Sequence, residues 1–301
     1  MSTSIPLVRE LSFEYGACDR LSPSIRRVIA KNPSAFTYTG TGTYILGEGR
    51  VAVIDPGPLD AHHVQAILSA TRGEEITSIL ITHTHNDHSP ATKLLLEHCA
   101  ARTYGFGPHG AGKNSADHVV VEEGGDMEFV PDEVVQDGDR IGDDSWEVTC
   151  VYTPGHTSNH ICYRLDAEET LFTGDHVMGW STSVISPPDG DMASYMSSLE
   201  LLLQISDQLY WPTHGPAITA PRKHVEAFIA HRLDREAQIV AQLKENHHTI
   251  AAMVPTMYKD VDERLHPAAA RSVFAALLFM LQKEMVRCDG EPSLDATFYL
   301  N

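Results

Sequence analysis

The sequence predicts an α+β protein in two parts, a mixed strand-and-helix domain over residues 1–220 and a small domain of three helices and a hairpin over residues 221–301. Three observations predict it. Strand-like and helix-like segments alternate as far as Pro221. Beyond that proline the apolar residues repeat at helical spacing in three successive segments. A chain of 301 residues with 42% hydrophobic content suits one large domain with an appendage, or two medium domains, and either can bury a substantial core.

Taken in order, Phe36–Leu46 and Arg50–Asp55 are rich in Thr, Val, Ile and aromatics and flank Gly47-Glu48-Gly49, which predicts a β-hairpin. After Pro56-Gly57-Pro58, Val64, Ile67 and Leu68 sit at helical spacing, and Ile76–Thr82 then reads as a buried strand. Ser89 and Pro90 are suited to cap and open a helix with Leu94, Leu95 and Cys99 on its inner face. Tyr104–Gly142, rich in glycine and acid and without clear period, reads as surface loops. Strands return at Trp146–Tyr152, Ile161–Leu165, Thr170–Phe172 and Leu209–Trp211, with an amphipathic helix over Met192–Ser206. In the second domain, helices are predicted at Arg222–Asn246, from a Thr249 cap to Tyr258, and from Pro267 to about Glu284. Met285–Cys288 and Ala296–Leu300 then pair, which completes a winged-helix arrangement.

The net charge of −19 is uneven: residues 1–220 carry 12 basic and 30 acidic side chains, and residues 221–301 carry 10 and 11. This argues against broad binding to nucleic acid, which needs basic surface to displace phosphate counterions. Five cysteines, Cys18, Cys99, Cys150, Cys162 and Cys288, form no Cys-x-x-Cys pair, so no disulfide framework or thiolate zinc site is indicated. There is no basic start followed by an apolar block, and the longest apolar run, Val273–Leu281, is short for a membrane span. A cytoplasmic protein without a membrane partner is the expectation.

The chemistry concentrates at His83-Thr84-His85-Asn86-Asp87-His88, directly after a buried strand. In an extended link residues i and i+2 point the same way, so His83 and His85 can grip one ion while Asp87 and His88, past the bend, reach a second. Further donors follow other strands: Asp55, His156 in Thr153-Pro154-Gly155-His156-Thr157, Asp175 after Thr173-Gly174, and His214 in Pro212-Thr213-His214-Gly215-Pro216. Alone, His156 or His214 reads as an ordinary surface or core residue at a strand end, Asp175 also fits a turn cap, and for Asp55 the turn cap and a functional role are nearly even. Imidazole with carboxylate and no thiolate suits two zinc ions and also admits iron or manganese. Bound in an open position, water drops from a pKa of 15.7 to about 7, which supplies a metal-bound hydroxide at neutral pH. Asp55 suits an acceptor that fixes a ligand histidine.

This set, in this order, resembles the metallo-β-lactamase superfamily. The resemblance implies a four-layer αββα sandwich with metals at one edge, His83, His85 and His156 on a first zinc, Asp87, His88 and His214 on a second, and Asp175 as the bridge. Asp87 is expected to serve catalysis as well as ligation. Within the superfamily, Thr82–Pro90, Ser186–Leu199 and the three-helix tail are similar to the lactamase-β-like protein 2 group. The cysteine ligand of class B1 lactamases is lacking, so the site resembles those of glyoxalase II and RNase Z. Thr213 stands where relatives commonly carry glycine.

Other residues invite weaker readings. His160 is a candidate outer partner of the site, although a structural hydrogen bond explains it better. His176 reads as facing the core, and His62, His63, His98, His118, His224, His231, His247, His248 and His266 as polar surface. His109 marks a rim loop. Thr39-Gly40-Thr41-Gly42-Thr43 lacks the lysine of a phosphate loop, and Tyr195 fits packing in an amphipathic helix. Arg271, Lys283 and Arg287 would allow the third C-terminal helix to read DNA, but a near-neutral domain favours covering the active-site mouth, or forming a homodimer. The expected function is hydrolysis by a binuclear zinc enzyme acting on a small ester, thioester or lactam, or on single-stranded RNA. A DNA-binding regulator with structural metals is the non-enzymatic alternative.

Overall fold

The computed structural model describes residues 5–113 and 124–301. His118 lies outside the described residues.

Seven strands form one sheet in sequence order: β1 (Cys18–Arg20), β2 (Ile25–Ile29), β3 (Gly42–Leu46), β4 (Arg50–Ile54), β5 (Glu75–Leu80), β6 (Arg102–Gly105) and β7 (Glu133–Val134). The first four pair antiparallel, and β4 to β7 run parallel. The second sheet has the order β12 (Leu209–Pro212), β11 (Thr170–Gly174), β10 (Ile161–Leu165), β9 (Trp146–Tyr152) and β8 (Arg140–Asp143).

Period-two alternation dictates how these sheets stack. Tyr44, Leu46, Ala52 and Ile54 of the first sheet share a core with Cys150, Ile161, Tyr163, Phe172 and Trp211 of the second. Their neighbours point the other way. Ile45, Val51 and Val53 pack against Val64 and Ile67 of α1 (Ala61–Ala70) and Leu95 of α2 (Thr92–Leu95). On the far side, Val151, Cys162, Leu171 and Tyr210 pack against Leu199 of α3 (Met192–Leu202) and Val225 and Phe228 of α4 (Pro221–Lys244). These are the four αββα layers.

The C-terminal helices are α4, α5 (Ile250–Met257, capped by Thr249 Oγ1) and α6 (His266–Gln282), followed by the antiparallel pair β13 (Val286–Cys288) and β14 (Phe298–Leu300). The expected division at 220/221 falls at the start of α4, whose first half packs on the sandwich and whose second half, Ile239 and Leu243, joins the core of α5 and α6. Although its uninterrupted apolar run is short, Glu263–Gln282 is long and apolar enough by composition to cross a membrane; here Val273, Leu277 and Met280 are buried in that core.

Several expectations need correction. Strands β1 and β2 were not foreseen, because Arg26 and Arg27 interrupt the apolar signal of β2; both are buried and paired, Arg26 with Glu74 at 2.6 Å and Arg27 with Asp19 at 3.1 Å. Ser89 caps no helix. Its hydroxyl donates to Asp126 at 2.6 Å, Ala91 N donates to Gly57 O, and α2 is a single turn that leaves Cys99 beyond its end. The supposed loops of 104–142 contain β7, β8 and the end of β6, too short to show a period.

His63 and His224 are buried, not surface residues. His224 Nε2 donates to Met178 O at 3.0 Å. The Thr43 hydroxyl donates to Asp55 O and receives His63 Nε2–H at 2.7 Å, and burial pushes the His63 imidazole down to about 4. The fold thus favours neutral His63. Its contribution is complete above the ordinary value of 6.5 and is lost as pH falls through that value toward 4, a loss of about 3 kcal/mol at the acid end. Denaturant unfolding of the metal-loaded protein at pH 4.5 and 7 is expected to give a smaller difference for His63→Gln than for the parent; an unchanged slope would refute this role.

Candidate metal centre

Each sequence-predicted ligand follows the end of a strand. Asp55 succeeds β4, His83 to His88 succeed β5, His156 follows β9, Asp175 follows β11 and His214 follows β12. β4 with β5, and β11 with β12, run parallel, so their carboxyl ends open on a common edge. The histidine run is held by its own backbone: His88 N donates to His85 O, Asn86 N to Gly124 O and Asp126 N to Thr84 O.

The seven side chains converge as three overlapping groups: His83, His85 and His156; His83, His88 and Asp175; Asp87, His88 and His214. His85 Nδ1 lies 2.9 Å from His83 Nε2 and 3.1 Å from His156 Nε2. His214 Nε2 lies 3.1 Å from Asp87 Oδ2, and His88 Nε2 lies 3.6 Å from the same oxygen. Asp175 spans the groups, with Oδ1 3.7 Å from His88 Nε2 and Oδ2 3.5 Å from His214 Nε2 and 3.9 Å from His156 Nε2. Donors about 2.1 Å from one tetrahedral zinc stand about 3.4 Å apart, which is the middle of this range.

Proton placement shows what these rings can offer a cation. Four of the five histidines have their Nδ1 committed as a donor. His156 Nδ1 donates to Val184 O at 2.6 Å, and His214 Nδ1 to Gly40 O at 3.2 Å. His88 Nδ1 donates to Asp55 Oδ2 at 2.9 Å. The Thr82 hydroxyl gives its proton to Asp55 Oδ2 and therefore receives His83 Nδ1–H at 3.1 Å. In the neutral rings every Nε2 of these four is then a bare lone pair aimed into the cluster. His88 Nε2, His214 Nε2 and Asp175 Oδ1 are buried, and among the described residues they face only one another and Asp87.

The electrostatics divide the cluster. Burial, reinforced by neighbouring histidines, pushes His85 down to about 3 and His83 well below its ordinary value, so the first group refuses protons. Burial opposes charge in the second group as well, but Asp87, Asp175 and Asp55 hold His88 well above its ordinary value, and Asp175 and Asp87 raise His214 to about 10. Although burial works against it, Asp87 is held below the usual carboxylate range by His88 and His214. Three neutral imidazoles converging at about 3 Å beside a half that holds two carboxylates fit a pair of divalent cations, which would displace the protons of His88 and His214, and the donor types fit zinc, iron or manganese.

Asp55 sits beneath, fully buried, at φ +47°, a left-handed conformation that aspartate tolerates. Besides His88 it accepts Thr82 N at 2.8 Å, Thr82 Oγ1 at 2.7 Å and Thr213 Oγ1 at 3.1 Å. Thr213 therefore ties the segment that carries His214 to the buried Asp55 carboxylate. His160 Nε2 accepts the Asp175 backbone N–H at 3.2 Å while its Nδ1 faces Thr153 Oγ1, so it fixes the backbone of the bridging residue. His176 and Tyr195 are core residues. His109 braces the loop through Thr84 Oγ1 at 2.9 Å. Thr82 and the carbonyls of Gly40 and Val184 were missed by sequence reasoning; backbone acceptors carry no side-chain signature. A cavity of about 530 Å³ is lined by His85, Asp87, His156 and Asp175 together with Arg264, Pro267, Ala268 and Arg271 around the start of α6.

With this geometry established, the family is decided by a match over residues 38–214 to the metallo-beta-lactamase superfamily model. The chain belongs to the metallo-β-lactamase superfamily. Residues 249–293 of this superfamily member match the beta-lactamase associated winged helix domain. It is 34% identical over 297 residues to the Beta-lactamase-like protein 2 homolog of Drosophila melanogaster, with 94% of this chain and 96% of that protein covered. It is also 28% identical over 277 residues to an Atrochrysone carboxyl ACP thioesterase of Aspergillus chevalieri, covering 90% and 83%. Among solved structures, a beta-lactamase domain protein from Burkholderia ambifaria superposes with a TM-score of 0.76 at 17% identity, over 95% of this chain and 94% of that one. That similarity carries the fold of this metallo-β-lactamase superfamily protein through its C-terminal domain.

Proposed function

We propose that this superfamily member is a binuclear zinc hydrolase that cleaves a small acyl thioester. The observation that carries the reading is the convergence of the bare nitrogens of His83, His85 and His156 beside a carboxylate-rich second group, under a cavity large enough for a small molecule. When bound, two zinc ions supply Lewis acidity and an acidified water at neutral pH. The chain's own residues do the rest. Asp55 and the Gly40 and Val184 carbonyls fix the ring orientations of His88, His214 and His156. Asp87, the most exposed carboxylate of the set at 27%, orients the attacking water by accepting its hydrogen bond at the cavity floor. Water adds to the acyl carbon, the C–S bond breaks, and carboxylate and thiol leave.

The thioester is favoured over single-stranded RNA by two considerations. One relative is named as a thioesterase. The acidic balance of residues 1–220, 30 against 12, opposes a polyanion, and lactams and esters remain as comparison substrates. All five cysteines are unpaired, which supports a reducing, cytoplasmic setting. Hydrolysis of an acyl thioester, a chromogenic lactam and a single-stranded oligoribonucleotide is to be measured with and without chelator. Chelator-sensitive turnover of the thioester above the other two is expected. RNA cleavage without thioester cleavage would overturn the substrate assignment.

A further inference from the structure

The ring of His156, which completes the first ligand group, is oriented by a segment that has no strand or helix of its own. Its Nδ1 donates to Val184 O at 2.6 Å, and Val184 lies in the irregular stretch between β11 and α3. Side chains hold that stretch in place. The Ser183 hydroxyl donates to His176 O at 2.8 Å, next to the bridging Asp175, and the Tyr195 hydroxyl donates to the same carbonyl at 2.9 Å. From α4, Arg232 Nη2 donates to Ser183 O at 2.5 Å. The same guanidinium lies over the Tyr195 ring, 5.0 Å from its centroid. Tyr195 in turn packs on the backbone just before His156, where a Cβ at Gly155 would come within 2.3 Å of Tyr195 Cα. Arg232 is 6% exposed, its Nε has no hydrogen-bond partner among the described residues, and Glu236, one turn along α4, is engaged by Lys283 at 3.1 Å. A buried cation held by a carbonyl and a ring costs stability relative to an apolar side chain of the same length. What it contributes in exchange is orientation.

We propose that Arg232 is a positioning residue for the first metal position. By holding Ser183 O it fixes where the next carbonyl, Val184 O, stands, and that carbonyl fixes the tautomer and angle of His156 and so presents Nε2 to a zinc ion. Through Ser183 and Tyr195 it also braces His176, whose neighbour is the bridging carboxylate. Arg232 acts through these groups and is not itself a ligand. It belongs to residues 221–301, so the C-terminal part of the chain reaches the metal chemistry by a continuous set of hydrogen bonds. The inference deepens the metal reading of the centre and rests on it; it does not depend on the thioester.

The test is zinc affinity of the full chain by chelator competition, with Tm beside it, for the parent, Arg232→Met and Arg232→Lys. Methionine keeps much of the length and drops the charge and the donors, so Tm is expected to hold or rise while zinc binds about tenfold more weakly at one position. Lysine restores a donor for Ser183 O and is expected to recover most of that loss. In a His214→Ala background, where zinc remains at His83, His85 and His156, Arg232→Met is expected to weaken the remaining ion by the same factor. A residue that only packs would move Tm and leave zinc affinity alone; that result, or a loss confined to the position His214 serves, would overturn the proposal. If Arg232→Met does not fold, Arg232→Gln, whose shorter amide leaves Ser183 O unpaired, takes its place under the same expectations. Absence of thioester turnover in a parent whose zinc affinity depends on Arg232 would sink the thioester reading and leave the positioning role standing, whereas a parent that binds no zinc would remove the metal reading and this role with it.

Discussion

Asp175→Asn is expected to lower thioester turnover on the order of 10³-fold, because it removes the one carboxylate that reaches both halves of the centre. Asparagine keeps the size and the backbone N–H that His160 accepts, so the fold is expected to persist. What is lost is charge. Asp175 supplies anionic oxygens toward His88, His156 and His214, and a neutral amide cannot balance two divalent ions as well. The check is kcat beside metal content and Tm. Full turnover with two zinc ions retained would remove Asp175 from the bridge.

The second large effect concerns a residue that touches no substrate. Asp55→Ala leaves the Thr82 N–H, the Thr82 and Thr213 hydroxyls and His88 Nδ1–H without their buried acceptor. One such donor left unpaired costs about 1–3 kcal/mol, and several relaxing together are expected to cost about 3–5 kcal/mol in denaturant unfolding. Freed from Asp55, His88 can also turn or change tautomer, so affinity at the second metal position is expected to fall about 10- to 100-fold in chelator competition. Thr213→Val deletes a single donor and is expected to cost about 1 kcal/mol with metal affinity nearly kept. A variant lacking Asp55 that loses less than about 1 kcal/mol would contradict the network.

The two effects show which parts of the molecule were legible in its sequence. Ligand identities were legible because a metal centre needs particular side chains, and three histidines and an aspartate within six residues have few other uses. The sandwich was legible where β4 or β9 alternate cleanly between faces. It failed at β2, where buried Arg26 and Arg27 owe their place to Glu74 and Asp19, which lie elsewhere in the sequence. The Ser89 cap failed for a related reason: a hydroxyl suited to a helix start found Asp126, thirty-seven residues away, as a better partner. His63 and His224 were misread because burial depends on tertiary neighbours that a local pattern does not contain. The same limit hid the place of Arg271, which read as a possible DNA contact in isolation and lines the cavity because of how α6 docks.

All of this depends on the convergent lone pairs holding metal. Elemental analysis of protein purified without chelators tests that most directly. Two equivalents of zinc per chain are predicted, falling toward one in His214→Ala as the second group is broken. Metal-free protein that hydrolyses its substrate at full rate would contradict the account.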